Sequence, residues 1–222
     1  MTTCLAGPEP QWVRSFFMSS KRATFFIDGF NLFHALDADR SFHKYKWLNL
    51  HKLASCFLTS KETLQKVYYF TTYATWDQKK VFKHQVYVKA LEHVGVEPIF
   101  GAFRSVDRSC RVCRQQYKTY EEKQTDVNIA IKILETAVKD EWDIAYIVSG
   151  DSDLIPSLKS VKRLFPNKQL CVIIPVRRNA EELKLAADFH MKMKEKHLGS
   201  SQFPDVFDIS TDLKLKRPPN WI

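Results

Sequence analysis

The chain has 222 residues, a net charge of +9 and a hydrophobic fraction of 45%. This length and composition predict one domain, with or without a tail, and enough apolar side chains for a real core. No run of about 18 apolar residues occurs, which excludes a membrane-spanning helix. The basic surplus favours a polyanionic partner, most commonly nucleic acid, although it would also suit a protein that is merely soluble.

The N-terminal residues 1–18 carry prolines and charged residues and have no apolar segment after a basic start. We therefore expect no signal peptide, but an N-terminal extension at 1–18. We hypothesise that Met18 is the true start and that residues 1–17 are dispensable. The five cysteines are scattered and odd in number. Without an export signal, they predict reduced thiols and a cytoplasmic location.

Apolar runs alternate with amphipathic helical patterns along the chain. This alternation predicts a three-layer α/β/α fold with a mainly parallel five-stranded sheet, covered on both faces. The predicted strands are 23–28, 64–74, 96–103, 142–149 and 169–176, and the predicted helices are 77–94, 126–139, 153–165 and 179–194. The expected strand order is 3-2-1-4-5.

Two segments fit no regular element. Residues 104–124 read as a long polar loop, and loops of this length in a compact domain are usually functional or disordered. Residues 196–222 read as an extended C-terminal tail, either mobile or anchored on the domain by Phe203, Phe207 and Trp221. The domain itself is expected at 19–195.

Four aspartates lie where apolar runs end: Asp28, Asp126, Asp151 and Asp153. Strands 1 and 4 are neighbours in the expected order, so Asp28, Asp151 and Asp153 should meet at one crevice. Asp126 joins them only if segment 104–124 carries the chain back over that edge. Clustered carboxylates repel each other unless a cation lies among them, and such hard ligands suit Mg²⁺ or Mn²⁺. A helix N-cap is the alternative for a single aspartate, above all for Asp153.

Three motifs containing these aspartates resemble the NYN domain, a family of PIN-like, flap-nuclease-like metal-dependent nucleases. They are FIDGFN at 26–31, TDV at 125–127 and SGDSDL at 149–154, within a resemblance that spans residues 22–194. The resemblance implies a PIN-like, Rossmannoid fold of the bacterial stand-alone type. It also implies a metal held by Asp28, Asp126, Asp151 and Asp153, directly or through water.

The same resemblance implies supporting roles for three neighbours of the aspartates. Asn31 would orient a ligand or water near Asp28, and Ser149 and Gly150 would shape the turn that presents Asp151. Asp188 matches a later acidic position of the family more loosely.

Segment 104–124 carries cationic and aromatic side chains that suit a nucleic-acid strand. Its cations would bind phosphates, and Tyr117 and Tyr120 could stack on unpaired bases. The candidate binding residues are Arg104, Arg108, Arg111, Arg114, Lys118 and Lys123, together with Arg177 and Arg178 after the fifth strand. A solvated basic loop is the alternative.

Cys110 and Cys113 have the spacing of a zinc knuckle, but zinc requires four ligands and no second such pair exists. Two free thiols are therefore the preferred interpretation. A zinc site completed by a neighbouring part of the fold or by a second chain is the alternative.

These features favour a metal-dependent endonuclease that cuts RNA rather than DNA. Its partner would be nucleic acid, no membrane partner is indicated, and a homo-oligomer is left open. One alternative is a catalytically silent PIN-like module that binds nucleic acid or protein. Another is a phosphatase with Asp28 as nucleophile, but Phe30 occupies the position where such enzymes usually carry a second aspartate.

Overall fold

The computed structural model of the chain describes residues 20–210 and 213–221. The expected N-terminal extension at 1–18, including the alternative start at Met18, lies outside the described residues. No helix in the described part is both long enough and apolar enough to cross a lipid bilayer.

Ten strands and seven α-helices make up the described chain. The strands are β1 (Lys21–Asp28), β2 (Glu62–Thr71), β3 (Val96–Phe100), β4 (Ala102–Ser109), β5 (Gln116–Lys123), β6 (Ile144–Val148), β7 (Gln169–Ile174), β8 (Phe189–Lys192), β9 (Val206–Ser210) and β10 (Leu213–Lys216). The helices are α1 (Gly29–Asp37), α2 (Leu50–Ser55), α3 (Gln78–His93), α4 (Thr125–Val138), α5 (Ile155–Leu164), α6 (Glu181–Ala186) and α7 (Glu195–Ser200). Three short 3-10 helices lie at Arg40–Tyr45, Ser152–Leu154 and Pro219–Trp221.

The central sheet is parallel throughout, in the order β3-β2-β1-β6-β7-β8. The predicted α/β fold is confirmed. The predicted strand order 3-2-1-4-5 is also confirmed, since the five predicted strands correspond to β1, β2, β3, β6 and β7. The strands are apolar on both faces because helices cover both. Residues of α1, α2, α3 and α7 join the core on one face, and residues of α4, α5 and α6 join the core on the other.

The sixth strand, β8, corrects the predicted sheet of five strands and the predicted helix at 179–194. Helix α6 ends at Ala186, and Ala187 is already extended with φ −93° and ψ 169°. In β8, Phe189 and Met191 pack on the core, whereas His190 and Lys192 are exposed. That alternation of period two is typical of a strand. The good helix formers just before it led the sequence pattern to predict a helix instead.

The sequence predicted a loop at residues 104–124, and that prediction is wrong. These residues form most of a β-hairpin. Strands β4 and β5 pair antiparallel from Ala102↔Lys123 to Ser109↔Gln116, and we call this element the hairpin. Its two strands bury little, so they lack the apolar alternation by which a strand is recognised. The ring of Tyr120 stacks on Trp76 at 3.8 Å between centroids, which attaches the hairpin to the domain.

The C-terminal region is not a single extended tail. It begins within α7 and continues into the antiparallel pair β9–β10. The buried ring of Trp47 is its main contact: Trp47 Nε1 donates to the carbonyl oxygen of Pro204 at 2.8 Å, and the rings of Phe203 and Trp221 lie 5.4 and 6.2 Å away. Phe207 packs on Phe203 at 5.0 Å. These contacts join the C-terminal region to the core beneath α1 and α3.

Candidate active site

The end of β1 presents the most buried of the four aspartates. Asp28 is 4% exposed and caps α1, because its Oδ1 accepts from the backbone N–H of Asn31 at 2.9 Å. Its Oδ2 accepts from Ser149 Oγ at 2.9 Å across the β1–β6 pair. Burial raises the pKa of Asp28, and the negative charges of Asp151 and Glu122 add to that effect. The two hydrogen bonds only partly offset it.

The turn after β6 fixes Asp151 against the same strand end. Ser149 Oγ accepts from the backbone N–H of Asp151 at 3.0 Å, and Gly150 N–H donates to Asn31 Oδ1 at 3.0 Å. Asp151 Oδ1 accepts from the backbone N–H of Asp153 at 2.9 Å. The capping aspartate of this turn is therefore Asp151, and the carboxylate of Asp153 is exposed. Asn31, Ser149 and Gly150 all lie in the network that connects Asp28 to Asp151.

Asp126 reaches this edge of the sheet because the hairpin returns the chain to the place where it left. Gly101 N–H donates to Thr71 at the end of β2, and Ala102 pairs with Lys123. Only glycine fits at 101, since a Cβ there would lie 2.8 Å from the carbonyl oxygen of Lys123. Helix α4 therefore starts at the carboxyl edge of the sheet and places Asp126 in its first turn.

The pKa of Asp126 records how close the acidic groups are. It is raised to about 6, first by burial and then by the charges of Asp151, Asp28, Glu122 and Asp153. Charges act on one another in this way over distances of up to about 8–10 Å at physiological ionic strength. The structure therefore brings the four sequence-predicted aspartates together at one edge.

Glu122 is a fifth carboxylate of this cluster, and sequence reasoning missed it. It belongs to β5, and its Oε1 accepts from the backbone N–H of Thr125 at 3.0 Å, at the start of α4. Its charge acts on both Asp28 and Asp126. Its position three residues before Thr125 could have indicated this role in the sequence. An acidic side chain near the start of a helix often accepts hydrogen bonds from the first N–H groups. We call Asp28, Glu122, Asp126, Asp151 and Asp153 the carboxylate cluster.

Among the described residues, no cationic side chain forms an ion pair with the carboxylate cluster. Over residues 20–210 and 213–221, none of its five members lies within 4.0 Å of a lysine, arginine or histidine nitrogen. In the same residues, no three His, Cys, Asp or Glu side chains are already arranged to enclose a metal ion. Mg²⁺ needs only one or two direct carboxylates, since water and substrate phosphate complete its shell. An unbalanced set of hard oxygen ligands fits that ion.

The hairpin carries most of the predicted nucleic-acid-binding cations, and they differ in their availability. Arg108 and Lys123 both pair with Glu121, the latter at 3.2 Å. The remaining four are exposed, with no carboxylate within 4.0 Å among the described residues: Arg104, Arg111, Arg114 and Lys118. Tyr117 is half-exposed, whereas one face of Tyr120 is already covered by Trp76.

Arg177 and Arg178 follow β7 at the same edge of the sheet, but only one is near the cluster. Arg177 pairs with Asp39 and lies over the ring of Phe42, so its charge is engaged elsewhere. Arg178 lies beside the turn after β6, since a Cβ on Gly150 would be 3.6 Å from its own Cβ. Arg178 is exposed and is the better placed of the two to meet a phosphate.

The two cysteines of the predicted knuckle occupy the turn at the tip of the hairpin. Backbone N–H groups of Cys113 and Val112 donate toward the sulfur of Cys110 and lower the pKa of its thiol. Both cysteines are free. The described residues bring no third ligand to them, so zinc at this tip would need ligands from elsewhere.

Asp188, the looser family match, lies at the opposite edge of the sheet. Its Oδ2 accepts from the backbone N–H of Leu170 at the start of β7 at 2.8 Å, and its Oδ1 pairs with Lys162 at 2.8 Å. These contacts give it a structural role, away from the carboxylate cluster.

Comparison with known proteins gives three findings. The NYN domain family matches residues 22–194. The 6-hydroxy-3-succinoylpyridine 3-monooxygenase HspA of Pseudomonas putida is 28% identical over 121 residues, which cover 52% of this chain and only 38% of that protein. A protein of unknown function from Vibrio parahaemolyticus superimposes with a TM-score of 0.54 at 18% identity, over 83% of this chain and 98% of that one. That likeness shows a shared fold.

The family match covers the central sheet from the second residue of β1 onward and all five members of the carboxylate cluster. NYN domains have a nuclease-like fold, and the family consists generally of nucleases, which are hydrolases. By this match and by its fold, the chain belongs to the NYN domain family.

Proposed function

We propose that this protein is a metal-dependent endonuclease that hydrolyses phosphodiester bonds in RNA. The observation that carries the proposal is the carboxylate cluster, five acidic side chains at one sheet edge with no balancing cation among the described residues. Asp28, Asp126, Asp151 and Asp153 would hold Mg²⁺ or Mn²⁺, directly or through water. A divalent ion held there would lower the pKa of the attacking water. It would also neutralise the charge that develops on the phosphoryl group.

The protein's own groups prepare this site in the absence of substrate. Asp28 and Asp151 are held by hydrogen bonds to Asn31, Ser149 and Asp153, which keep both carboxylates from turning away. Preorganised ligands of this kind avoid the cost of ordering during the reaction. In the metal-free protein the pKa of Asp126 is raised to about 6, so protons and a metal ion compete for its carboxylate.

The hairpin would hold the substrate strand over the cluster. Its exposed cations, Arg111, Arg114 and Lys118, suit phosphates of the substrate strand away from the bond to be cut, because they lie toward the tip of the hairpin. Arg178 lies on the other side of the crevice, beside Gly150. A negatively charged strand can therefore approach a negatively charged site because cations flank it. The preference for RNA rests on the family resemblance.

The direct test is cleavage of labelled single- and double-stranded RNA and DNA with Mg²⁺, Mn²⁺ or EDTA. We expect RNA cleavage that EDTA abolishes. Asp28→Asn and Asp151→Asn should each lower the rate by about 100-fold or more, because each removes a charge that acts on the transition state. Circular dichroism should show both variants folded.

Glu182→Gln is the matched control, since Glu182 is an exposed carboxylate on α6 outside the cluster. It should cut at the wild-type rate. Wild-type activity in Asp28→Asn or Asp151→Asn would refute the mechanism. RNA binding without metal-dependent turnover would instead identify a catalytically silent module, and transfer of phosphate onto Asp28 would identify a phosphatase.

A further inference from the structure

A cavity of about 330 Å³ lies over the end of β2, between α1 and α3. Gly29 and Phe30, the two residues after Asp28, form part of its wall, but no member of the carboxylate cluster lines it. Its volume lies within the range of roughly 300–1,000 Å³ that is usual for small-molecule sites. We call it the aromatic cavity. It adjoins the cluster without being part of it.

Aromatic rings dominate the wall of this cavity. They are Phe30, Phe33, Tyr69, Tyr87, Phe103 and Trp221. Several are held in place: Tyr87 Oη donates to the carbonyl oxygen of Leu48 at 2.8 Å, and Phe30 meets Phe103 edge-to-face at 5.5 Å. Rings fixed in this way offer a planar ligand stacking surfaces at little entropic cost.

The charged groups that line the cavity are all cationic. Lys46 pairs with Asp37, and Lys80 lies 3.7 Å from Asp77. Lys83 has no carboxylate within 4.0 Å in the part of the chain that the structure describes. No aspartate or glutamate among the described residues lines the cavity. This combination of aromatic walls and an available ammonium group suits a planar ligand that carries negative charge.

A polar pair inside the cavity can recognise hydrogen-bonding edges. His84 Nε2 and Thr71 Oγ1 lie 3.1 Å apart, and both residues line the wall. Burial lowers the pKa of His84 to about 4, so its ring is neutral at physiological pH. A neutral imidazole and a hydroxyl can each donate or accept a hydrogen bond. Such a pair fits a heterocycle with ring nitrogens and exocyclic oxygens better than a plain hydrocarbon ring.

We propose that the aromatic cavity binds one nucleobase of the strand whose phosphate lies at the carboxylate cluster, with Lys83 contacting an adjacent phosphate. The inference rests on the proposed function and names a subsite for its substrate. The chain itself supplies the continuity, because Gly29 and Phe30 are within about 8 Å of Asp28 along the backbone. Gly29 lets the first turn of α1 pack closely, since a Cβ there would lie 2.5 Å from the carbonyl oxygen of Phe70.

The test is an NMR titration of Asp151→Asn protein in EDTA with each of the four ribonucleoside monophosphates. Neither metal nor turnover is involved, so the result is independent of whether the protein cuts RNA. We expect resonances of the cavity rings to shift on binding. Ribose phosphate, which lacks the base, and nicotinate, an aromatic anion without a ribose phosphate, are the comparison ligands.

Three further substitutions, each made in the Asp151→Asn protein, locate the ligand. Ala74→Trp fills the cavity from its wall and should abolish binding. Lys83→Ala should weaken binding by about tenfold, the cost of a charged hydrogen bond. Phe33→Ala removes a ring that is 40% exposed at the rim, so folding is spared, and should weaken binding by about 5- to 10-fold.

Lys79→Ala and Phe82→Ala are matched controls on the exposed side of α3, and should bind as the parent does. The proposal fails if no monophosphate shifts the cavity resonances, or if Ala74→Trp binds normally. It also fails if ribose phosphate or nicotinate binds as well as the nucleotides. Nucleotide binding in a protein that cuts no RNA would preserve the subsite and remove the nuclease. RNA cleavage without nucleotide binding would support the nuclease and refute the subsite.

Discussion

Glu122 is the acidic side chain whose contribution is easiest to isolate. It does not belong to the three recognised motifs, yet its charge acts on Asp28 and Asp126 while its Oε1 holds the first N–H of α4. A glutamine in its place keeps an oxygen that can accept from Thr125. The substitution therefore removes charge and leaves the local structure intact.

We expect Glu122→Gln to lower the metal-dependent cleavage rate by about 10- to 100-fold, as is usual for groups that support metal ligands. Glu121→Gln is the control, because neighbouring residues of a strand point to opposite faces and Glu121 pairs with Arg108 and Lys123. Its rate should change by no more than about twofold, since exposed ion pairs contribute little. Equal reductions in the two variants would contradict a specific role for Glu122.

The hairpin acts as an element through its charge and its attachment. Trp76 stacks on Tyr120 and meets Phe103 edge-to-face at 4.5 Å, so the base of the hairpin is fixed while its tip extends into solvent. The tip bears Arg111 and Arg114, and Lys118 follows in β5. None of these three side chains contributes to the core, so their charge can be removed without disturbing the fold.

We expect the triple variant Arg111→Gln, Arg114→Gln, Lys118→Gln to bind single-stranded RNA more weakly. The slope of log affinity against log salt should become shallower by about 0.7 for each phosphate that the variant no longer neutralises. The measurement is fluorescence anisotropy over a salt series, with EDTA present. A control variant has the same net charge. In it, three exposed residues on helices α2, α3 and α5 are changed to glutamine: Lys52, Lys89 and Arg163. If the slope falls equally in both variants, binding follows net charge and not the hairpin.

The free energy of unfolding of the whole molecule should depend on pH because of the carboxylate cluster. The pKa of Asp126 is about 6 in the folded protein against an ordinary value of 3.8, so the folded state holds the proton more tightly. Stability of the metal-free protein should therefore fall as pH rises from about 4 to 6. The shift corresponds to about 3 kcal/mol, which solvent screening at this half-buried group reduces to the order of 1 kcal/mol.

Thermal unfolding in EDTA should accordingly show Asp126→Asn melting about 2–4 °C above the wild type at pH 7.5, and about equal to it at pH 4. Saturating Mn²⁺ should raise the melting temperature of the wild type at pH 7.5 more than at pH 5, where protons compete for the cluster. The variant should respond less to Mn²⁺. A lower melting temperature for Asp126→Asn at pH 7.5 in EDTA would show that the cluster is not under repulsion.

The central sheet and part of the site could be predicted from residues alone. Strands such as β1 and β6 are continuous apolar runs, and the right-handed crossover rule orders them without any knowledge of side-chain contacts. That order makes β1 and β6 neighbours, so Asp28 and Asp151 had to lie side by side. Their motifs also pointed to the family that the comparisons confirm.

What only the tertiary structure decided depends on contacts between distant segments. Asp126 and Glu122 reach the cluster because the hairpin turns back at its tip and pairs Lys123 with Ala102 beside Gly101, and the hairpin lacks the apolar pattern that marks a strand. The sixth strand, β8, forms because a neighbour offers it a free edge, in spite of helix-forming residues before it. The aromatic cavity likewise assembles rings from α1, β2, α3, β4 and the C-terminal Trp221. Local pattern is a property of the chain, whereas such convergence is a property of packing, which no single stretch of sequence contains.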